Sequence, residues 1–248
     1  MNIGIIGAGN IGGTLARKFS ALGHRVAVSN SRGPATLAAF AAGTGMEPVD
    51  IGQVVRDKDV IVIAIPEEGI LRLPKGLFSG AATGTIVVDT GNYYPEVRDR
   101  TIPAIEEGMP ESQWVAEQLQ VPIVKAFNAI TVGSLTTRGL PPGAPGRIAL
   151  PVAGNNARDK EVIFELIHHL GFDALDAGML AGSWRQQPGA PAYCMDLGAH
   201  ALTTALGKAE HSRIGEYRRN AVAGAKRAVE AAGSLAAAMA GAGRPANS

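Results

Sequence analysis

The chain has 248 residues, of which 23 are Lys or Arg and 22 are Asp or Glu, giving a formal net charge of +1 at pH 7. That length suffices for a substantial core without disulfides or metals, and so even a charge balance supplies no field for nucleic acid or an anionic membrane surface. Cys194 is the single cysteine, which excludes an intramolecular disulfide and fits a reducing compartment. With no basic head and apolar run after Met1, and no stretch of about eighteen apolar residues, the expectation is a soluble, cytoplasmic protein with neither membrane nor nucleic-acid partners.

Residues 2 to 6 and 25 to 29 read as strands, and the run between them, Asn10 to Leu22, places Ile11, Leu15, Phe19 and Leu22 on one helical face. This predicts a β-α-β unit. Short apolar runs follow at Val60 to Ile65, Thr85 to Asp89, Pro122 to Phe127, Ile148 to Val152 and Phe172 to Leu175, bounded by Gly, Pro, Asp and Asn, as buried strands of a parallel or mixed sheet are. Of the helices in the gaps, the clearest runs from Ala157 to Leu170 and is closed by Gly171. The fold class is α/β, a doubly wound Rossmann-type sheet.

The segment Asn92 to Pro110, without any period, predicts a long loop facing the ligand crevice, and Gly139 to Arg147 an exposed connection. Beyond Gly178 the character changes. Ser183 to Cys194 is irregular, Met195 to Met239 is Ala-rich and helical, and the final GAGRPANS is expected to be disordered. The division is therefore a nucleotide-binding domain over 1–182 and a small C-terminal helical extension over 183–248. No repeat of solenoid period is present.

GAGNIG, Gly7 to Gly12, is a GxGxxG motif placed directly after a strand and at a helix start. Gly7 allows the tight turn, Gly9 lets the backbone approach a pyrophosphate, Gly12 permits close helix-strand contact, and the amides near Asn10 and Ile11 present a helix N-terminus to the anion. At the end of the second strand, where a carboxylate would hold a ribose 2′-hydroxyl, stand Ser29, Asn30, Ser31 and Arg32. Hydroxyls and a guanidinium suit the 2′-phosphate of NADP(H) instead.

Pro66 and Thr90 to Asn92 lie at C-terminal strand ends and are expected to line the nicotinamide half of the crevice. Lys125, Phe127 and Asn128 emerge from the next strand. Lys125 and Asn128 are the candidate catalytic residues, although Lys125 is equally well read as a salt bridge at a sheet end. Trp184, Arg185 and Tyr193 read either as a cover over a flat ring or as packing for the C-terminal helices. Cys194 reads as an inert buried thiol, and Arg213, Arg218, Arg219, Lys226 and Arg227 as a solvated helix face. There is no Ser/His/Asp set and no metal-ligand spacing, so no metal site is expected.

GAGNIGGTLA at Gly7 to Ala16, SRG at Ser31 to Gly33, VKAFNAI at Val124 to Ile130, PVAGNN at Pro151 to Asn156 and GFDALDAGML at Gly171 to Leu180 form an ordered set. Over roughly residues 1 to 185, the chain resembles the F420-dependent NADP oxidoreductase family and the cytoplasmic reductase domain of the STEAP ferric reductases. The resemblance implies direct hydride transfer between NADPH and the stacked ring of the deazaflavin F420, chemistry that needs positioning more than acid-base groups. Asn128 stands where the deazaflavin enzymes carry a histidine, and Lys125 to Asn128 match the STEAP-like domains, so FMN, FAD or another small electron acceptor stands beside F420. Two other readings share the fingerprint: an imine or β-hydroxyacid-type reductase, and a non-catalytic NADPH sensor. The Ala-rich C-terminal helices are expected to form a homodimer interface.

Overall fold

The computed structural model describes residues 1–234. The end of the expected helix at Met239 and the expected disordered tail lie outside the described residues. Strands β1 (Asn2–Ile6), β2 (Arg25–Ser29), β3 (Glu47–Pro48), β4 (Val60–Ile63), β5 (Ile86–Asp89) and β6 (Val124–Lys125) form one parallel sheet in the order β3-β2-β1-β4-β5-β6. The chain starts in the middle, winds outward through β2 and β3, then crosses back to β4. The order therefore reverses between β1 and β4, and the connections leaving those strands diverge around a crevice at their carboxyl ends.

The strands form because their side chains alternate between two apolar layers. Ile3, Ile5, Val60, Val62 and Val88 face one cluster, with Leu15 and Phe19 of the helix Asn10–Ala21 and Ile163 and Leu166 of the helix Ala157–His169. Ile6, Ile61, Ile63 and Val87 face the other, with Ile105, Trp114 and Val115. Burial on both faces is why β4 and β5 read as unbroken apolar runs, and each such side chain contributes about 1.5 to 3 kcal/mol.

Strands β7 (Ala149–Val152) and β8 (Asp173–Asp176) make a separate parallel pair. An antiparallel bridge between Lys125 and Ala153, with N···O distances of 2.8 and 3.0 Å, joins it to β6. The expected strand Pro122 to Phe127 is cut to Val124–Lys125 because the chain turns sharply at Phe127, whose φ is +60°. The strand at Glu47–Pro48 carries no apolar run and was not expected. Within the expected loop 92–110, Pro103–Glu106 forms one helical turn with Pro at its start and Ile105 fully buried.

The expected helix from Met195 is two helices, Ala199–Gly207 and Ile214–Ala232, separated by a short turn at His211–Arg213. The first packs Leu202, Ala205 and Leu206 on Ala149, Ala153 and Ala177 of the small sheet and its exit. The second is held by Tyr217 and Arg218, its two buried residues. Arg218 is not part of a solvated face. Its guanidinium donates to Glu106 at 2.7 Å and to the Ile105 carbonyl at 2.8 Å, and it lies 5.4 Å over the Tyr93 ring.

Candidate active site

The loop after β1 separates the roles of its glycines. Gly7 has φ +103°, and its N–H donates to the Ser29 carbonyl at 2.8 Å. A Cβ on Gly7 would overlap the Ala64 carbonyl oxygen, and one on Gly12 would overlap the Gly7 carbonyl oxygen and come within 2.8 Å of Ala64 Cβ. Both are required by the protein's own packing. Gly9 is different: its φ is −75°, open to any residue, and a Cβ there meets nothing within 4 Å. Gly9 and Asn10 are exposed, and no side chain caps the helix that starts at Asn10. Uncapped N–H groups carrying the positive end of the helix dipole therefore open on clear space, a cradle that fits a pyrophosphate.

Beside it, the turn after β2 is braced by Asn30. Its Oδ1 accepts from the Arg32 N–H at 2.9 Å, its Nδ2 donates to Thr36 Oγ1 at 3.0 Å, and Thr36 Oγ1 donates to the Gly33 carbonyl at 2.8 Å. Ser31 and Arg32 are held outward and exposed. Among the described residues, no hydrogen bond or ion pair engages the Arg32 guanidinium. Two expectations are corrected here. Ser29 is completely buried, so its hydroxyl is not offered at the surface and its carbonyl serves the glycine loop; among the described residues its Oγ has no hydrogen-bond partner. Asn30 spends its amide on the turn rather than on a ligand.

On the far side of β1, Pro66 is half-buried at the exit of β4. Thr90 stands at the end of β5 as expected, but is buried, with its hydroxyl turned back to the Ile63 carbonyl at 3.1 Å. Asn92 is half-buried and exchanges hydrogen bonds with Asn128, 3.1 Å each way, through the side chain of each and the Asn128 carbonyl.

Neither expected catalytic residue presents a group to solvent. Lys125 is 0% exposed, with Nζ 3.1 Å from Asp89 Oδ2 and 2.6 Å from the Gly91 carbonyl. Asp89 Oδ1 accepts from the Gly91 N–H and Oδ2 from Ser112 Oγ, so the lysine ties β5, β6 and the helix Glu111–Leu119 together. Asn128 is 2% exposed; its Nδ2 also donates to the Gln186 carbonyl at 2.7 Å, and its Oδ1 accepts from Gln186 Nε2 at 3.0 Å. The reason is tertiary in both cases: Lys125 is held by Asp89 and the Gly91 carbonyl at the end of β5, and Asn128 by Gln186 of the returning segment Leu180–Gln186. Phe127 is likewise buried and offers no ring face. The pair Trp184 and Arg185 is no lid. Trp184 stacks edge-on against His211 at 5.1 Å and lines, with Glu111, Gln187 and Tyr217, a cavity of about 10 Å³, while Arg185 binds the Ala177 and Gly182 carbonyls.

Beneath the Pro66 and Gly91 backbone lies a buried ionic cluster that no motif had indicated. Glu67 and Glu111 are 1% and 2% exposed, and among the described residues Oε1 of Glu67 and Oε2 of Glu111 have no hydrogen-bond partner. Arg98 reaches Glu67, Asp99 and the Asn92 carbonyl. Desolvation, then the neighbouring Glu111, hold the Glu67 carboxyl well above its usual range, and desolvation pushes Glu111 up to about 7 against the pull of Lys125 and Arg218. Burial also pushes the Cys194 thiol up to about 12, so it stays protonated at neutral pH. Among the described residues, no group of three or more His, Cys, Asp or Glu could hold a metal, and no helix is long and apolar enough to cross a membrane.

Sheet order and glycine loop define a Rossmann-type, dinucleotide-binding oxidoreductase fold. The family described as NADP oxidoreductase, coenzyme F420-dependent, matches residues 2–93. A solved hypothetical protein from Sinorhizobium meliloti is 30% identical, with a TM-score of 0.66 over 79% of this chain and 95% of that one. A structure from Arthrobacter sp. described as a candidate F420-dependent NADP reductase is 21% identical, with a TM-score of 0.56 over 74% of this chain and 87% of that one, and shares the fold. Escherichia coli YjhV is 42% identical over 67 residues, 27% of this chain, so only 49% of that relative's length is spanned. The chain belongs to the family of coenzyme F420-dependent NADP oxidoreductases.

Proposed function

We propose that the protein transfers hydride between NADPH and a deazaflavin (F420), a flavin (FMN or FAD) or a related small acceptor, as a cytoplasmic homodimer. The observation that carries the cofactor choice is the Arg32 guanidinium, exposed, unpaired among the described residues and held beside the open cradle at Gly9 by a turn that Asn30 braces. In this reading the backbone at Gly9, Asn10 and Ile11 holds the pyrophosphate, Ser31 and Arg32 the 2′-phosphate, and Pro66 and Asn92 flank the nicotinamide. The bound cofactor supplies the hydride. The chain supplies position: Lys125 and Asn128 fix the loops after β5 and β6, so that an acceptor ring is met at about 3 to 3.5 Å in a dry crevice.

An imine or β-hydroxyacid-type reductase needs a proton at the reacting atom. Lys125 in the grip of Asp89 is not free to deliver one, which favours the flavin-like acceptor. The test is an NADPH-oxidation screen with F420, FMN, FAD, riboflavin, ferric chelates and an imine, beside NADPH and NADH binding titrations. Tight NADPH binding without turnover on any of these would mark a sensor instead, and equal affinity for NADH would refute the cofactor assignment.

A further inference from the structure

Two half-buried tyrosines meet at the carboxyl ends of β5 and β6. Tyr94 follows Asn92 in the loop after β5, Tyr193 comes from the stretch after the segment Leu180–Gln186, and their hydroxyl oxygens are 3.1 Å apart. Cys194 Sγ lies 3.9 Å from the Asn128 carbonyl oxygen and against the Tyr193 hydroxyl. The Arg98 guanidinium stands 5.8 Å over the Tyr94 ring while binding the Asn92 carbonyl.

The two hydroxyls form a hydrogen-bonded pair in which each carries one proton. With Tyr94 donating to Tyr193, the Tyr94 oxygen keeps free lone pairs; with Tyr193 donating, the Tyr94 O–H has no protein acceptor among the described residues. Among the described residues the Tyr94 hydroxyl makes no hydrogen bond other than that to Tyr193. Tyr94 is the open end.

We propose that the Tyr94 hydroxyl, backed by Tyr193, hydrogen-bonds a carbonyl oxygen conjugated with the hydride-accepting atom of a planar acceptor, the arrangement a flavin or deazaflavin ring carries. The inference rests on the hydride-transfer reading above. Desolvation pushes the Tyr94 phenol up to about 12, so it stays a neutral donor through the physiological range. A neutral O–H suits a neutral carbonyl, whereas a phosphate would seek a cation. Hydride arrival places negative charge on that carbonyl oxygen, so the hydrogen bond strengthens in the transition state and aids transfer as well as binding. Tyr193 acts through Tyr94 and is a positioning residue.

The test uses the full chain with Tyr94→Phe, Tyr193→Phe and the double variant. It measures the NADPH dissociation constant by fluorescence, FMN and F420 binding to the NADP⁺-loaded protein by quenching, and kcat and KM of NADPH oxidation with each acceptor. The expected result is unchanged NADPH binding, acceptor kcat/KM and affinity weakened about tenfold by Tyr94→Phe, a smaller loss for Tyr193→Phe, and a double variant no worse than Tyr94→Phe alone. Wild type that reduces an acceptor while all three variants match it overturns this inference alone. Wild type that binds NADPH yet neither binds nor reduces FMN or F420 overturns this inference together with the flavin-like reading.

Discussion

Gly12 packs so closely on Gly7 that a Cβ at position 12 would overlap the Gly7 carbonyl oxygen, while three residues earlier in the same loop a Cβ on Gly9 meets nothing within 4 Å. Only the second glycine is free to answer to a ligand. Gly12→Ala must push backbone against backbone and is expected to cost about 1 to 3 kcal/mol of stability. Gly9→Val is expected to melt within a degree or two of wild type and to lose NADPH binding. Thermal melts and NADPH fluorescence on the same samples read both halves, and a Gly9→Val variant that still binds would count against the cradle.

Among the described residues no hydrogen bond or ion pair holds the Arg32 side chain, so Arg32→Ala should leave the melting temperature unchanged. A charge-assisted contact contributes about 1.5 to 3 kcal/mol, so NADPH affinity should fall roughly ten- to a hundredfold with NADH affinity unaffected. Calorimetric titration at fixed moderate salt checks this. Equal losses for the two cofactors would place Arg32 on the pyrophosphate rather than on the 2′-phosphate.

What the sequence disclosed and what it hid divide along a physical line. Strands β1, β4 and β5 were legible because parallel strands buried on both faces must be apolar throughout, and the fingerprint was legible because its glycines serve local geometry. The depth of Lys125 and Asn128 was not. Lys125 ends an ordinary strand and Asn128 follows it, and each is sealed by partners far along the chain, Asp89 for one and Gln186 for the other. Glu67 and Glu111 carry no sequence signal for the same reason, since burial of Glu67 beside a more exposed Glu68 is decided only when the chain folds.

Lys125 is therefore expected to matter for stability before chemistry. Lys125→Met keeps the aliphatic volume but strips the counter-charge from Asp89, leaving an unpaired buried carboxylate at a cost of about 3 to 5 kcal/mol. Urea denaturation should show a large fall in midpoint, and whatever fraction remains folded should bind NADPH. A variant as stable as wild type but slower by several decades in kcat would restore Lys125 as a proton donor and favour the imine or β-hydroxyacid reading.

The helix Ile214–Ala232 is buried at one end only, its later half held to the chain by the exposed Lys226–Glu96 pair at 2.6 Å. After Arg218, none of its residues is buried in the single chain, yet Val222, Ala225 and Val229 recur at three- and four-residue spacing on one face. A second copy of this helix would cover them, and the expected assembly is a two-fold dimer. Light scattering at micromolar concentration should give twice the chain mass of 25.5 kDa. Val222→Glu with Val229→Glu should return the monomer without loss of NADPH binding; a wild-type monomer sinks the expectation.

Glu111 gives the pH dependence of stability a definite sign. Its carboxyl has an ordinary value of 4.5 and is pushed up to about 7 in the folded protein, chiefly by desolvation. Between those values the folded chain holds a proton that the unfolded chain releases, so the contribution is fully present below about pH 4.5 and is lost as pH rises through about 7. Glu67, raised by desolvation and by Glu111, acts in the same direction. His24 works the opposite way: desolvation and the N-terminal ammonium hold its imidazole below 6.5, so it adds stability as pH rises toward neutrality. Asp176, lowered by its Lys160 hydrogen bond against desolvation, loses its contribution only in more acid solution. The decisive quantity is therefore a difference between variants, with denaturation followed at pH 5 and at pH 8. Glu111→Gln cannot ionise, so relative to wild type it should be least favourable at pH 5 and gain as pH rises, while Asp176→Asn should show no such trend across this window. A Glu111→Gln difference that is flat between pH 5 and pH 8 would show that Glu111 is already ionised in the folded protein at pH 5.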